Sequence, residues 1–179
     1  MSEPGQEQPD IRPTPAELDT LRLYDEGLTR ADLVLLELEA VDRDDAIGQL
    51  TDLLVAGGRV TDRAAFTADV GAREHQMATG LPGGVGLPHA RSDAVAQASL
   101  AVGVTTFGKR VDFGSADGPA DIILLLGTPA SSLSLHLEVL AGIARSMAQP
   151  NVRESLRRAY DTEVIAELVN STFWFPPET

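Results

Sequence analysis

Histidines are the main candidates for reactive chemistry in this sequence, which contains three of them and no cysteine. The three are His75, His89 and His136. A neutral imidazole has a lone pair that can attack phosphorus or take up a proton at physiological pH. The lack of cysteine excludes disulfides and thiolate metal sites, so few other nucleophiles or ligands remain.

His89 follows Pro88 in the glycine-rich segment TGLPGGVGLPHARS at residues 79–92. Four glycines and two prolines there predict a loop, a brief strand and a second loop. Proline fixes φ, and backbone N–H groups of such a loop could face an anion. The local pattern leaves two interpretations open: a phosphoryl acceptor whose phosphoramidate keeps a high transfer potential, or a solvated loop histidine.

His136 falls in the first turn of a predicted helix, where free backbone N–H groups create partial positive charge suited to phosphate. The spacing also puts it on one face with apolar residues, so it fits a core histidine equally well. The possible caps of this helix are Ser131, Ser132 and Ser134. The apolar residues on the predicted face with His136 are Leu140, Ile143 and Met147.

Arg73 is the third candidate, because spacing puts it on an apolar stripe of a helix predicted to begin at Thr61 or Asp62. The predicted stripe contains Phe66, Val70, Arg73 and Met77. A guanidinium there could neutralise phosphate oxygens through its fork of donors, or could extend to the helix edge. The neighbouring Glu74 is expected to serve solubility or a local ion pair.

Other sites are less well supported. We expect His75 to be a surface residue, and no ligand spacing unites the three histidines in a metal site. Gly83, Gly84 and Gly86 lack the sequence context of a nucleotide-binding loop. No nucleophile or paired-acid motif is recognisable, so a small hydrolase that uses His89 or His136 as acid or base remains only an alternative.

Composition favours one acidic domain. The chain has 179 residues, 43% of them hydrophobic, and a formal charge of -13. That charge argues against nucleic-acid binding, which needs clustered basic residues. The first 30 residues lack the pattern of a signal peptide, and no apolar run is long enough to span a membrane. We therefore expect a soluble, cytoplasmic protein.

The predicted elements alternate between strands and helices. Residues 1–17 hold four prolines among polar residues and predict a flexible tail. We predict a strand from Leu33 to about Val41, and further strands in SLAVGVTTF and ADIILLLG. We also predict helices capped by Asp42, Asn151 and Asp161. This order predicts an α/β domain in which helices cover the faces of a mixed β-sheet.

The segment GVGLPHARSD resembles the phosphorylation-site segment of the fructose/mannitol-type EIIA domains of the bacterial sugar phosphotransferase system. The resemblance implies that His89 is the phosphoryl acceptor, with Arg73 and His136 contacting the phosphoryl group. It extends over roughly residues 30–170, including NVRESLRRAYDTEVIAELV. We therefore predict an EIIA domain at residues 18–172 and a C-terminal tail at residues 173–179.

The resemblance also implies a relay. Phospho-HPr would phosphorylate the imidazole, and the group would pass to a cysteine of an EIIB domain of a membrane sugar permease, with no cofactor beyond a transient phosphohistidine. The transfer would use Nε2 while a backbone carbonyl holds the other ring nitrogen. A regulatory, nitrogen-type EIIA that signals through phosphorylation-dependent binding would use the same histidine, and remains an alternative.

Overall fold

The fold is a six-stranded mixed sheet with helices on both faces, as predicted, in a computed structural model that describes residues 12–173. The order is β1-β5-β6-β3-β2, and β4 also pairs with β6. The strands are β1 Val34–Leu38, β2 Gly80–Leu81, β3 Val85–Gly86, β4 His89–Ser92, β5 Ser99–Thr105 and β6 Ile122–Pro129. The helices are α1 Pro15–Glu26, α2 Arg43–Ala56, α3 Arg63–Gln76, α4 Leu133–Met147, α5 Pro150–Arg158 and α6 Thr162–Thr172.

The central strand β6 separates two hydrophobic cores. Successive side chains of a strand point to opposite faces, so a continuous apolar run is suited to burial on both sides. Leu124 and Leu126 pack toward α4, α5 and α6, whereas Ile123 and Leu125 pack toward α2 and α3. All four are fully buried. The strand predicted from ADIILLLG is confirmed, and it pairs with β3, β4 and β5.

Several helix boundaries follow from local capping. Asp42 accepts a hydrogen bond from a backbone N–H group at the start of α2, as the sequence predicts. Asp62 does the same at the start of α3, which begins at Arg63 and not at Thr61 or Asp62. Asp161 caps α6 in the same way. The predicted Asn151 cap is wrong: α5 begins at Pro150, since proline suits the first helical position and needs no N–H partner there.

The predicted N-terminal tail is contradicted at its last three residues, 15–17, which belong to a helix. Helix α1 begins at Pro15, and Thr14 and Glu17 form a reciprocal capping box that offsets the proline-rich composition. Asp19 is buried and accepts a hydrogen bond from the Ser132 hydroxyl at the start of α4. Residues 1–11 of the predicted tail lie outside the described part.

One described residue contradicts the predicted C-terminal tail. Phe173, its first residue, is 3% exposed and belongs to the hydrophobic core that contains the buried residues of α4 and α6. A large aromatic side chain gains more from burial there than from solvation in a tail. The remainder of that predicted tail, residues 174–179, lies outside the described part.

The glycine-rich segment forms three short strands instead of the predicted two loops around one strand. Gly83 and Gly84 have φ of 91° and 78°, values that favour glycine, and they turn the chain between β2 and β3. Strand β4 then runs parallel to β6, with His89 opposite Leu126. Its pairing with β6 gives backbone partners to a segment whose composition suggests a loop.

Candidate active site

His89 is the first residue of strand β4, so the prediction that it lies in a loop is wrong, and its burial argues against a solvated loop histidine. Its residue exposure is 8%, and the amide of its pairing partner Leu126 donates to the Pro88 carbonyl. Pairing to the central strand overrides the loop tendency of the glycine-rich sequence because the ladder satisfies its backbone groups. The ring is thereby held on the rigid edge of the sheet.

A backbone carbonyl fixes which nitrogen of His89 carries the proton. Nδ1 lies 2.8 Å from the Leu87 carbonyl oxygen. A carbonyl can only accept, so Nδ1 carries the hydrogen and Nε2 keeps its lone pair. Burial lowers the pKa of His89; the Leu87 contact opposes this, and Arg73 lowers the pKa further. The neutral, nucleophilic form of the ring is favoured.

His136 lies in the first turn of α4 and faces His89. The two ring centroids are 5.6 Å apart with planes inclined at 46°, and His136 is 7% exposed. Burial, followed by His89, Arg91 and Arg73, lowers its pKa to about 4. Its predicted face-sharing with Ile143 and Met147 is confirmed, since both are buried. The structure brings this ring and His89 together.

Arg73 lies in the last turn of α3, near enough to depress the pKa of both imidazoles. Its Nη1 donates to the Met77 carbonyl at 3.0 Å. The predicted stripe is only partly correct. Phe66 and Val70 are buried, but Met77 is 65% exposed because α3 ends at Gln76.

Glu74 takes the inward position instead, one turn beyond Val70. It is buried, contrary to a role in solubility; it accepts the Thr79 hydroxyl and lies 3.5 Å from an Arg43 nitrogen. This carboxylate ties the end of α3 to residue 79, whose carbonyl accepts from the Leu87 amide at 3.1 Å. Glu74 therefore supports the backbone that orients His89.

Sequence inspection missed Arg91 and Thr128. Arg91 is exposed, donates to the Ala130 carbonyl at 2.9 Å and lowers the pKa of His136. Its position two residues after His89 was an available signal, since alternate strand residues share a face. Thr128 is paired in register with Arg91 and bonds to His136. Nothing in the linear sequence indicates that contact.

The site combines two largely buried imidazoles with two guanidiniums. Within residues 12–173, neither Arg73 nor Arg91 forms an ion pair; each donates to a backbone carbonyl. Their positive charge therefore remains available to an anion. His75, by contrast, is exposed on α3. In the same range, no group of three His, Asp or Glu side chains is placed to hold a metal ion.

The arrangement suits nucleophilic transfer of an anionic group. His89 offers a lone pair at Nε2, and the guanidiniums can balance charge on the transferred oxygens. No helix of the described residues is long and apolar enough to cross a membrane.

The sequence is similar to those of known proteins. Residues 27–172 match the family model described as "Phosphoenolpyruvate-dependent sugar phosphotransferase system, EIIA 2". The fructose-specific EIIA component of Haloferax volcanii is 33% identical over 143 residues, which span 79% of this chain and 92% of that protein.

Two solved structures extend the comparison. Nitrogen regulatory protein IIA-Ntr from Neisseria meningitidis has a TM-score of 0.72 at 29% identity, covering 79% of this chain and 96% of that one. Enzyme IIA mannitol of Escherichia coli, solved in complex with phosphorylated enzyme IIB mannitol, has a TM-score of 0.67 at 19% identity, covering 80% and 99%. The second likeness shows the fold.

Proposed function

The chain belongs to the EIIA 2 family of the phosphoenolpyruvate-dependent sugar phosphotransferase system, and on that premise we propose that His89 carries a phosphoryl group from phospho-HPr to an EIIB cysteine. The observation that supports this most is the Leu87 carbonyl at 2.8 Å from Nδ1, which leaves Nε2 as the free nucleophile. These 179 residues contain no cysteine, so the acceptor cysteine lies outside them.

The transfer step is an in-line displacement at phosphorus. Nε2 forms the new bond to phosphorus as the bond to the donor breaks, and the resulting phosphoramidate reacts in the reverse sense with the next acceptor. Arg73 and His136 stabilise the equatorial oxygens. Such catalysis consists of positioning and electrostatic stabilisation, which a site built on β4 and α4 provides without large rearrangement.

Docked partners would exclude water from the site. Leu133 and Leu137, on the same helix as His136, are 49% and 56% exposed. Covering these apolar side chains would favour association and keep hydrolysis slower than transfer. The mannitol enzyme IIA of Escherichia coli, solved with its phosphorylated IIB, is a precedent for an EIIB partner. We propose HPr as donor by the logic of the relay, with the cytoplasm as its location.

Labelling by the phosphoenolpyruvate relay tests the acceptor. Purified protein is incubated with phosphoenolpyruvate, enzyme I and HPr, and intact mass reports phosphoryl incorporation. We expect one phosphoryl group on the wild type and none on His89→Ala or His89→Gln, while His75→Ala, an exposed histidine outside the site, labels fully. Circular dichroism checks that the variants fold. Full labelling of either His89 variant would overturn the assignment.

Rate measurements test the supporting imidazole. His136→Ala removes a group that faces His89 but leaves the acceptor in place, so labelling should still reach completion. We expect transfer to slow about one hundredfold, as for loss of one preorganised contact in an electrostatic site. Quench-flow labelling with excess phospho-HPr measures this rate. An unchanged rate would remove His136 from the mechanism.

The sugar class that we propose is that of fructose and mannitol, since a fructose-specific EIIA component is 33% identical to this chain. Regulation is the second candidate, because the nitrogen regulatory IIA-Ntr structure matches with a TM-score of 0.72. Transfer from phosphorylated protein to fructose-type and mannitol-type EIIB domains separates the two. Stable phosphohistidine in the presence of both EIIB domains would favour the regulatory role.

A further inference from the structure

Thr128 is a buried polar residue directly behind His136. It lies near the end of β6, paired in register with Arg91 of β4, and is completely buried. Its Oγ1 is 2.6 Å from Nδ1 of His136.

The hydroxyl proton of Thr128 needs an acceptor. A threonine hydroxyl carries one hydrogen and two lone pairs, and at zero exposure no solvent can take that hydrogen. Within residues 12–173, Nδ1 of His136 is the only hydrogen-bond partner of this oxygen. If Nδ1 carried a proton, Thr128 would accept and its own hydrogen would be left unsatisfied in the interior, which is unfavourable. Thr128 therefore donates to Nδ1.

We propose that Thr128 is a positioning residue that fixes the tautomer of His136, so that the two imidazoles of the site have opposite tautomers. His89 has its proton on Nδ1, held by the Leu87 carbonyl, and presents a lone pair at Nε2. His136 has its lone pair tied to Thr128 and carries its proton on Nε2. This inference rests on the proposed function for its kinetic consequence, but not for its structural one.

The opposite tautomers give the two rings different chemical roles. A carbonyl behind His89 makes that ring a nucleophile, whereas a hydroxyl behind His136 makes it a hydrogen-bond donor to a phosphoryl oxygen. With its pKa lowered to about 4, His136 stays neutral near pH 7, so its single N–H must be on the correct nitrogen to donate. The wrong tautomer would aim a lone pair at an anion.

Nitrogen-15 NMR of the imidazole rings tests the tautomers directly. Long-range proton–nitrogen correlation spectra of the full chain at pH 7 distinguish protonated from bare ring nitrogens. We expect His136 to show a bare Nδ1 and a protonated Nε2, and His89 to show the reverse pattern in the same spectrum. A protonated Nδ1 at His136 would overturn the proposal.

Two variants of Thr128 test its role, with a third as control. Thr128→Val keeps the shape but removes the donor, so we expect the His136 signals to shift toward a mixture of tautomers. Thr128→Ser keeps the hydroxyl and should restore the wild-type pattern. Thr51→Val is the matched control: Thr51 is also fully buried, but its hydroxyl donates to the Ile47 carbonyl within α2. It should leave the His136 signals unchanged.

Transfer kinetics supply the second readout. We expect Thr128→Val to slow phosphorylation of His89 by roughly tenfold, by analogy with the loss when the partner that orients a metal-bound histidine is removed. Thr128→Ser should recover most of the rate, and Thr51→Val should transfer at the wild-type rate. An unchanged His136 spectrum and rate in folded Thr128→Val would refute the positioning role.

The two proposals fail in different ways. If wild-type protein takes no phosphoryl group but shows opposite ring tautomers, the proposed function falls and the assignment of Thr128 stands. If the wild type labels normally but both rings share one tautomer, the carrier function stands and this inference falls.

Discussion

The two ends of strand β6 use arginine in different ways. At the start of the strand, Asp121 binds Arg157 at 2.8 and 2.9 Å and Arg110 at 3.2 Å. At the far end, Arg73 and Arg91 donate only to backbone carbonyls among the described residues. We call these the Asp121 end and the Thr128 end.

The arginines at the Asp121 end stabilise the fold through an ion pair, whereas those at the Thr128 end keep a positive charge that can bind an anion. A carboxylate that pairs with a guanidinium cancels its field and joins neighbouring elements. A carbonyl orients a guanidinium but leaves its net charge in place. In a protein with a formal charge of -13, the Thr128 end is thus a local cationic site beside two imidazoles. Substitutions at the two ends should affect different properties.

Among the arginines of the two ends, the largest effect is expected from Arg73→Ala. The change removes one uncompensated guanidinium from the Thr128 end, and we expect phosphoryl transfer to His89 to slow about one hundredfold. Quench-flow labelling with phospho-HPr measures the rate. Chemical denaturation should show little loss of stability, because Arg73 forms no ion pair with any residue between 12 and 173. A large fall in stability with an unchanged rate would reverse the comparison.

Arg157→Ala should produce the opposite result at the Asp121 end. It leaves the Asp121 carboxylate, whose side chain is 17% exposed, with Arg110 as its remaining partner. We expect the free energy of unfolding to fall by about 2 kcal/mol, since a largely buried charged group loses its bidentate partner. Urea denaturation measures this, and the transfer rate should be unchanged. A slowed transfer rate would show that the two ends are coupled.

The pH dependence of stability should sharpen the distinction at the Thr128 end. The pKa of His136 is lowered to about 4 in the folded chain, below its unfolded value, so the unfolded state binds more protons between those pH values. This contribution is present near pH 7 and is lost as the pH falls from about 6.5 toward 4. After allowance for solvent screening we expect about 1–2 kcal/mol.

Urea denaturation at several pH values in that range measures this contribution. His136→Gln should flatten the decline, while His75→Gln should not, because that side chain is exposed on α3. Equal slopes for the wild type and His136→Gln would contradict a buried neutral imidazole at this position.

The smallest effect is expected from Arg63→Ala. Arg63 lies on α3 with Arg73, but it pairs with Asp52 on the surface, where both side chains are at least half exposed. Exposed ion pairs of this kind contribute little to stability. We expect the denaturation midpoint and the transfer rate to match the wild type. A rate loss like that of Arg73→Ala would mean that general charge, and not position, governs transfer.

Local sequence signals predicted much of the fold. Aspartates at residues 42 and 161 predicted two helix starts because a cap acts on backbone groups only two or three residues away. The apolar run of β6 predicted a strand buried on both faces. Local signals failed at residues 79–92, because the short strands there pair with a strand distant in sequence. They also failed at α1, because the proline-rich composition suggested a tail although Thr14 and Glu17 form a capping box.

The candidate site was predicted less completely than the fold. The sequence by itself determined the candidate residues His89, His136 and Arg73, since their motif and spacing are properties of the linear chain. Only the tertiary structure showed that the two rings are 5.6 Å apart and that Glu74, not Arg73, is the buried residue at the end of α3. It also showed that Arg91 and Thr128 belong to the site. These contacts depend on the parallel pairing of β4 with β6, whose register is set by long-range packing that local patterns do not encode.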